Sequence, residues 1–169
     1  MSHLDAHVSV RCPLAQGAKR LGGLFAKNGN ADGDTALLDL RVDVAVPGLP
    51  SALHLEREVV ATMQFRQPPG DMTPHFDVQW APRTPGPFPL FAGRLSIEAA
   101  DDYDSFTLAL RGDYDPPLGL VGKGFDAAVG NTIANATALD LLERIKSRIE
   151  ADFRADEARK PGAHLTHPA

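Results

Sequence analysis

The chain has 169 residues, of which 43% are hydrophobic and 23% are charged, and its formal net charge is -5 at pH 7. This length fits one domain around one hydrophobic core, and the acidic balance argues against a nucleic-acid partner, because phosphate binding needs a clustered basic face. Since Cys12 is the only cysteine and no apolar run approaches the roughly 18–20 residues that span a bilayer, we expect a cytoplasmic protein without disulfides or stable membrane insertion.

Apolar and polar side chains alternate along residues 5–12, and this period of two is typical of a half-buried strand. Pro13 ends the strand. Cys12 falls on the apolar side of the alternation, so a buried and unreactive thiol is expected there, and not a nucleophile.

Beyond Pro13, apolar residues recur at helical spacing as far as Phe25, but three glycines interrupt the pattern, so two short helical pieces are predicted. The turn-rich loop that follows, residues 28–34, has the oxygen-bearing side chains of half a calcium loop. Asn28 and Asp39 stand where that motif needs Asp and Glu, and a strand follows where a helix should. A plain turn without metal is therefore expected.

Five further segments keep their apolar residues on one parity and predict strands. They are residues 38–46, 54–65, 75–80, 91–99 and 106–110. Short connections join them, including a tight turn at Asp101 and Asp102, so an antiparallel meander is predicted. The connection from Ala81 to Pro89 is rich in proline, and its Phe88 either gates a cavity mouth or folds onto the surface.

The polar parity of these strands carries side chains of metal-ligand type. They are His54, Glu56 and Glu58 on one strand, and His75 and Asp77 on the next. Neighbours two apart on a strand are about 6.5–7 Å distant, and this parity points away from the predicted core. We therefore expect solvated side chains and ion pairs there, and no metal site.

The last predicted element is one long helix. Asp115 and Pro116 resemble an N-cap and the first helical residue, and helix-forming sequence continues to about Arg159 with apolar residues at steps near three and four. Some 30 residues would span roughly 45 Å, enough to cover the apolar face of a sheet. Residues 159–169, with His164 and His167, are predicted to be a disordered tail.

A strand, short helical pieces, a run of antiparallel strands and a long final helix resemble the helix-grip fold of the START-like superfamily, which includes pollen-allergen, polyketide-cyclase and lipid-transfer relatives. The likeness covers roughly residues 5–155, and its most local feature is the strand-to-helix passage at residues 108–119, LALRGDYDPPLG. It implies an α+β fold, with a curved antiparallel sheet of about six strands wrapped around the C-terminal helix in a single domain, residues 1–158. It also implies a central cavity for an apolar or amphipathic small molecule. It implies no catalytic residue, and we expect no cofactor.

The candidate pocket residues are the large apolar side chains that the pattern turns inward. They are Leu40, Val42, Met63, Phe65, Phe76, Val78, Trp80, Phe91, Leu95, Phe106, Leu108, Phe125, Val129 and Ile133. Protein interiors are close-packed as a rule, so these residues are also compatible with a solid core. The open cavity is implied by the resemblance.

Two polar residues share the inward parity. Arg57 is placed either to clamp a ligand carboxylate or phosphate, or to extend to water near the strand end or pair with a carboxylate. The hydroxyl of Tyr114 either lines the pocket or caps its strand.

Three functions are compatible with this pattern. Binding of a lipid or of an aromatic, polyketide-like molecule is the first. A cyclase, dehydratase or hydrolase is the second, and it requires a titratable group in the pocket, for which Arg57 and Tyr114 are the inward candidates. A protein-interaction module is the third, and it requires an exposed apolar patch.

Overall fold

The computed structural model describes residues 2–28, 35–45, 54–66, 75–84, 89–115 and 123–160. The elements in chain order are β1 (Ser2–Val10), α1 (Leu14–Asn28), β2 (Thr35–Ala45), β3 (His54–Arg66), β4 (His75–Pro82), β5 (Leu90–Ala99), β6 (Phe106–Asp115) and α2 (Lys123–Ala158). This is the predicted order of a strand, helical sequence, five strands and a long helix.

The strands form one six-stranded sheet in the order β1-β6-β5-β4-β3-β2, and every neighbouring pair is antiparallel. Strands β2 to β6 are the predicted meander, and β1 adds to it beside β6. Within the described residues, α2 comes close to both edge strands, β1 and β2. The sheet therefore curves around the helix, and the predicted helix-grip fold is confirmed.

The concave face of this sheet, called the inner face below, carries the core. On β1 the residues Leu4, Ala6, Val8 and Val10 are buried, whereas the residues between them are exposed. On α2 the buried residues recur at steps of three and four: Ile133, Ala134, Thr137, Ala138, Leu141, Leu142, Ile145 and Ile149. The two periodicities, two for a strand and 3.6 for a helix, bring apolar side chains of both elements into one core.

α1 is one continuous helix of 15 residues, so the prediction of two short pieces was wrong. Its first turn is closed by the carbonyl of Pro13, which accepts from the amides of Gln16 and Gly17 at 2.9 Å each. Leu21 is fully buried against the core. Burial of this face outweighs the cost of the helical glycines, about 1 kcal/mol each.

β6 continues to Asp115, whose backbone pairs with Leu90, and the described part of α2 begins at Lys123. The predicted helix start at Asp115 and Pro116 depends on residues 116–122, which lie outside the described residues. One predicted connection was wrong. The connection between β5 and β6 runs over residues 100–105 and is longer than a two-residue turn. In it the hydroxyl of Ser105 donates to Asp102 Oδ1 at 2.5 Å.

Candidate functional site

Three aromatic side chains form a row across the inner face of the sheet. The register places Trp80 of β4 opposite Phe91 of β5, and Phe91 opposite Tyr114 of β6. All three are at most 3% exposed. Because directly opposed residues on antiparallel strands lie on the same face, the row is a continuous aromatic surface facing α2, and we call it the aromatic row.

Trp80 and Phe91 are stacked, with ring centroids 4.1 Å apart and an interplanar angle of 15°. The indole Nε1 of Trp80 donates to the carbonyl of Pro89 at 3.2 Å, so the buried polar end of this side chain has a partner. The stack and the hydrogen bond together fix the orientation of the indole ring.

A pair of glycines makes room for this stack. Gly93 and Gly112 lie opposite each other on β5 and β6. A Cβ atom on Gly93 would lie 2.4 Å from Cζ of Phe91, and one on Gly112 would lie 2.8 Å from the same atom. The Phe91 ring therefore lies over the glycine pair, where any larger side chain would displace it. Sequence reasoning missed this pair, although both glycines stand on the inward parity of their strands.

The hydroxyl of Tyr114 connects the aromatic row to α2. It donates to Oδ1 of Asn131 at 3.4 Å, and the side-chain amide of Asn135 donates to the same oxygen and to the Asn131 carbonyl, both at 2.8 Å. Tyr114 is buried, while Asn131 is exposed on the helix. A chain of polar groups thus leads from the interior to the surface near the start of α2.

The remaining described candidates extend along the whole inner face. Seven of them are buried: Met63, Val78, Phe76, Leu95, Leu108, Phe106 and Ile133. Phe65 is partly buried. The rings of Phe65 and Phe76 contact each other, with centroids 5.3 Å apart. Phe106 is eight residues from Tyr114 on β6, which is about 27 Å along a strand, and it packs near Gly17 of α1. One small ligand cannot contact both ends of this set.

Five candidates have side chains outside the described residues: Leu40, Val42, Arg57, Phe125 and Val129. The backbone register places Arg57 opposite Val42, and Leu40 opposite Val59. The side chains of His54 and Glu56, the calcium-like loop from residue 29 to 34, Phe88 and the tail with His164 and His167 also lie outside the described residues.

The prediction that the polar parity of the strands is solvated was wrong for His75, which is buried and only 7% exposed. It lies on a central strand, between Arg66 of β3 and Ser96 of β5, so neighbours on both sides shield it. Asp77 does form an exposed ion pair, in which it accepts from Nε of Arg66 at 3.0 Å. Exposed Glu58 lies 3.7 Å from Arg83.

The convex face of the sheet, called the outer face below, carries a charged network across three strands. Arg111 of β6 donates to Asp5 of β1 at 3.3 Å and also to Glu98 of β5. The hydrogen bond from Arg111 holds the pKa of Glu98 below its ordinary value, and the two carboxylates raise the pKa of Arg111. This network ties the edge strand β1 to the sheet.

The thiol of Cys12 is buried, as expected, and its Sγ lies 3.6 Å from the carbonyl of Pro13. Burial raises its pKa, Arg20 opposes that effect, and Glu150 and Glu157 add to it. A thiol with a raised pKa is a poor nucleophile, so the structure agrees with an inert cysteine.

Comparison with solved structures finds the same architecture. A conserved protein from Geobacillus kaustophilus matches with a TM-score of 0.54 and 14% identity, over 92% of this chain and 97% of that one. The Zhui aromatase/cyclase from Streptomyces sp. R1128 matches with a TM-score of 0.50 and 15% identity, over 92% and 97%. A START superfamily protein from Mycobacterium smegmatis has a TM-score of 0.42 and 15% identity, over 90% and 97%.

The first two likenesses span nearly the whole of both chains, and they show that this chain shares the helix-grip fold of those two proteins. No protein-family model and no curated protein sequence matches the chain. In the part of the chain that the structure describes, neither helix combines the length and apolar character required to cross a membrane.

Proposed function

We propose that this protein binds an aromatic or amphipathic small molecule between the inner face of the sheet and the first half of α2, against the aromatic row. The observation that carries the proposal is the stacked pair of Trp80 and Phe91 beside a buried tyrosine hydroxyl. Small-molecule sites combine apolar and aromatic walls with a few fixed polar groups, and the aromatic row has both.

The position of α2 supports an occupant at this place. Among the described residues, α2 comes close to the edge strands β1 and β2 and to β6, and Trp80, Phe91 and Tyr114 of the sheet belong to the same core cluster as Ile133 of α2. A ligand with a flat ring would stack on these side chains, and a hydroxyl or carbonyl group on that ring would bond to Tyr114 or Asn131. The fold shared with the Zhui aromatase/cyclase also supports a small-molecule occupant.

Binding without catalysis is the form of the proposal that the aromatic row favours. Of its three side chains, only Tyr114 carries a titratable group. General acid–base chemistry needs a group that can gain or lose a proton within hydrogen-bond reach of the substrate, and the other two side chains of the row offer none. The inner-face residues described near Tyr114 are apolar.

Fluorescence tests this proposal directly, because Trp80 is the only tryptophan of the chain. We expect 1-anilinonaphthalene-8-sulfonate to bind saturably, to accept excitation energy from Trp80 and to be displaced by laurate. Tyr114→Phe removes one hydrogen-bonding group, and we expect it to weaken 2-naphthol binding by about fivefold while leaving laurate unaffected.

The control variant changes a groove of about 600 Å³ that opens on the outer face. Val60, Leu90 and Ala92 help to line this groove, and Trp80 and Phe91 also border it. Leu90→Ala changes an exposed side chain of this groove that points away from the inner face, so it should bind 1-anilinonaphthalene-8-sulfonate, laurate and 2-naphthol as the wild type does. Absence of saturable energy transfer from Trp80 to 1-anilinonaphthalene-8-sulfonate would refute the proposed site. Loss of that transfer in Leu90→Ala but not in Tyr114→Phe would also refute it.

A further inference from the structure

A second concave site lies between α1 and α2, away from the aromatic row. This groove, called the interhelical groove below, has a volume of about 720 Å³. Its apolar residues are Ala15, Gly23, Leu24 and Ala155. Its charged residues are Lys19, Arg20, Asp152, Asp156, Arg159 and Lys160. None of them belongs to the ligand site proposed above.

Arg20 is held rigidly in the wall of this groove. Its side chain is 13% exposed and lies over the ring of Phe153, with Cζ 5.3 Å from the ring centroid. Nη1 donates to the carbonyl and the side-chain oxygen of Gln16 at 3.3 and 3.1 Å, and Nη2 donates to Oδ2 of Asp156 at 2.6 Å. A guanidinium fixed in this way loses little further entropy when it binds a ligand.

One donor of this guanidinium is not satisfied. Nε of Arg20 is buried, and among the described residues it has no hydrogen-bond partner. An arginine usually binds an oxyanion through two adjacent N–H groups at once. Asp156 does not complete such a pair, because its second oxygen, Oδ1, accepts from Nη1 of Arg159 at 3.1 Å. A single carboxylate is therefore shared between two arginines.

The residues around the groove carry more positive than negative charge, because Arg20 and Arg159 share the single carboxylate of Asp156. Lys160 pairs with Glu157 at 2.5 Å, and Asp152 lies 3.5 Å from Arg148, so these four residues compensate one another. Lys19 is exposed on α1, and within the described ranges no ion pair involves it. Together with the two arginines that share Asp156, Lys19 leaves the groove with an excess of positive charge in an acidic protein.

We propose that the interhelical groove binds a small oxyanion, either a phosphate or a carboxylate group. Arg20 contributes the fixed guanidinium, and Lys19 and Arg159 contribute charge at the rim. An oxyanion would compensate the excess charge and share the arginines with Asp156, and guanidinium and ammonium donors are the groups that recognise such anions. The apolar residues of the groove would contact a short carbon chain on the same ligand.

Isothermal titration with inorganic phosphate tests this site, with sodium chloride added to keep the ionic strength constant. We expect saturable binding to the wild type. Lys19→Gln and Arg159→Gln should each weaken it by about threefold or more, and Arg20→Lys, which loses the planar fork, by about tenfold. Should Arg20→Lys fail to fold, the two rim variants decide the outcome.

Arg144→Gln is the matched control, because Arg144 is an exposed arginine of α2 that pairs with Asp140 outside the groove. It should bind phosphate as tightly as the wild type does. Equal weakening in Arg144→Gln and in Arg159→Gln would indicate general charge attraction and overturn the proposal, as would the absence of saturable binding.

The source of the oxyanion is tested with phosphatidylcholine vesicles that contain phosphatidic acid. Sedimentation of the wild type with these vesicles, lost in Lys19→Gln, would identify a lipid headgroup as the ligand. Phosphate binding without sedimentation would identify a free anion. Absence of binding to both inorganic phosphate and the vesicles would overturn the proposal. Vesicle binding that Lys19→Gln does not change would overturn it as well.

Discussion

Gly17 and Gly22 lie five residues apart on α1 but have different surroundings. A Cβ atom on Gly17 would lie 2.1 Å from Cε1 of Phe106, whereas a Cβ on Gly22 would have no atom within 4 Å. Phe106 is fully buried, so its ring has little room to move. The two glycines are alike in the sequence, and only the packing of α1 on β6 distinguishes them.

We expect Gly17→Ala to lower the free energy of unfolding by about 1–3 kcal/mol, because the added methyl group overpacks the core. Gly22→Ala is the matched control, and it should raise that free energy by about 0.5–1 kcal/mol, since alanine is the better helix former. Urea denaturation measures both. Equal effects of the two substitutions would show that α1 does not pack on Phe106 as described.

The elements were predictable where the signal is local. Alternation along the chain indicated all six strands, and the spacing of apolar residues in α2 indicated a helix that ends near residue 159. Asp115 followed by Pro116 is typical of a helix start, yet Asp115 continues the ladder with Leu90 because Tyr114 is buried on the inner face. The burial of His75 depends on which strands lie beside β4, and no local pattern contains that information.

The candidate site was predictable in part for the same reason. The inward parity of Trp80, Phe91 and Tyr114 is visible in the sequence. Their assembly into one row requires the register between β4, β5 and β6, which only the structure provides. The interhelical groove was not predicted, because Arg20 and Asp156 are 136 residues apart.

The ion pairs between β1, β6 and β5 give the sheet a dependence on pH. We expect Arg111→Met to lower the free energy of unfolding by up to about 1 kcal/mol at pH 7, as for other exposed ion pairs in a network. Because the folded-state pKa of Glu98 is below its ordinary value, its contribution is present above the ordinary pKa and is lost as pH falls through the folded pKa.

The difference in stability between wild type and Arg111→Met should therefore shrink below roughly pH 4, where carboxylates become protonated. Arg94→Met is the control. Arg94 lies on β5 opposite Arg111 of β6, and among the described residues Arg94 forms no ion pair. Denaturation curves at several pH values measure these differences. A difference for Arg111→Met that stays constant down to pH 3 would contradict the network.

At the scale of the whole molecule, α2 comes close to both edge strands and to β6 among the described residues, and the aromatic row lies on β4, β5 and β6 on the inner face. The outer face carries ion pairs and a shallow groove. We therefore propose the inner face as the site of the small-molecule ligand and the interhelical groove as the site of the oxyanion. These two sites share no residue.

Nuclear Overhauser effects between bound 1-anilinonaphthalene-8-sulfonate and the protein locate this ligand most directly. We expect cross-peaks from the naphthalene protons to the indole of Trp80 and to the ring of Tyr114. Cross-peaks confined to the methyl groups of Val60, Leu90 and Ala92 would place the ligand on the outer face and contradict the proposed function.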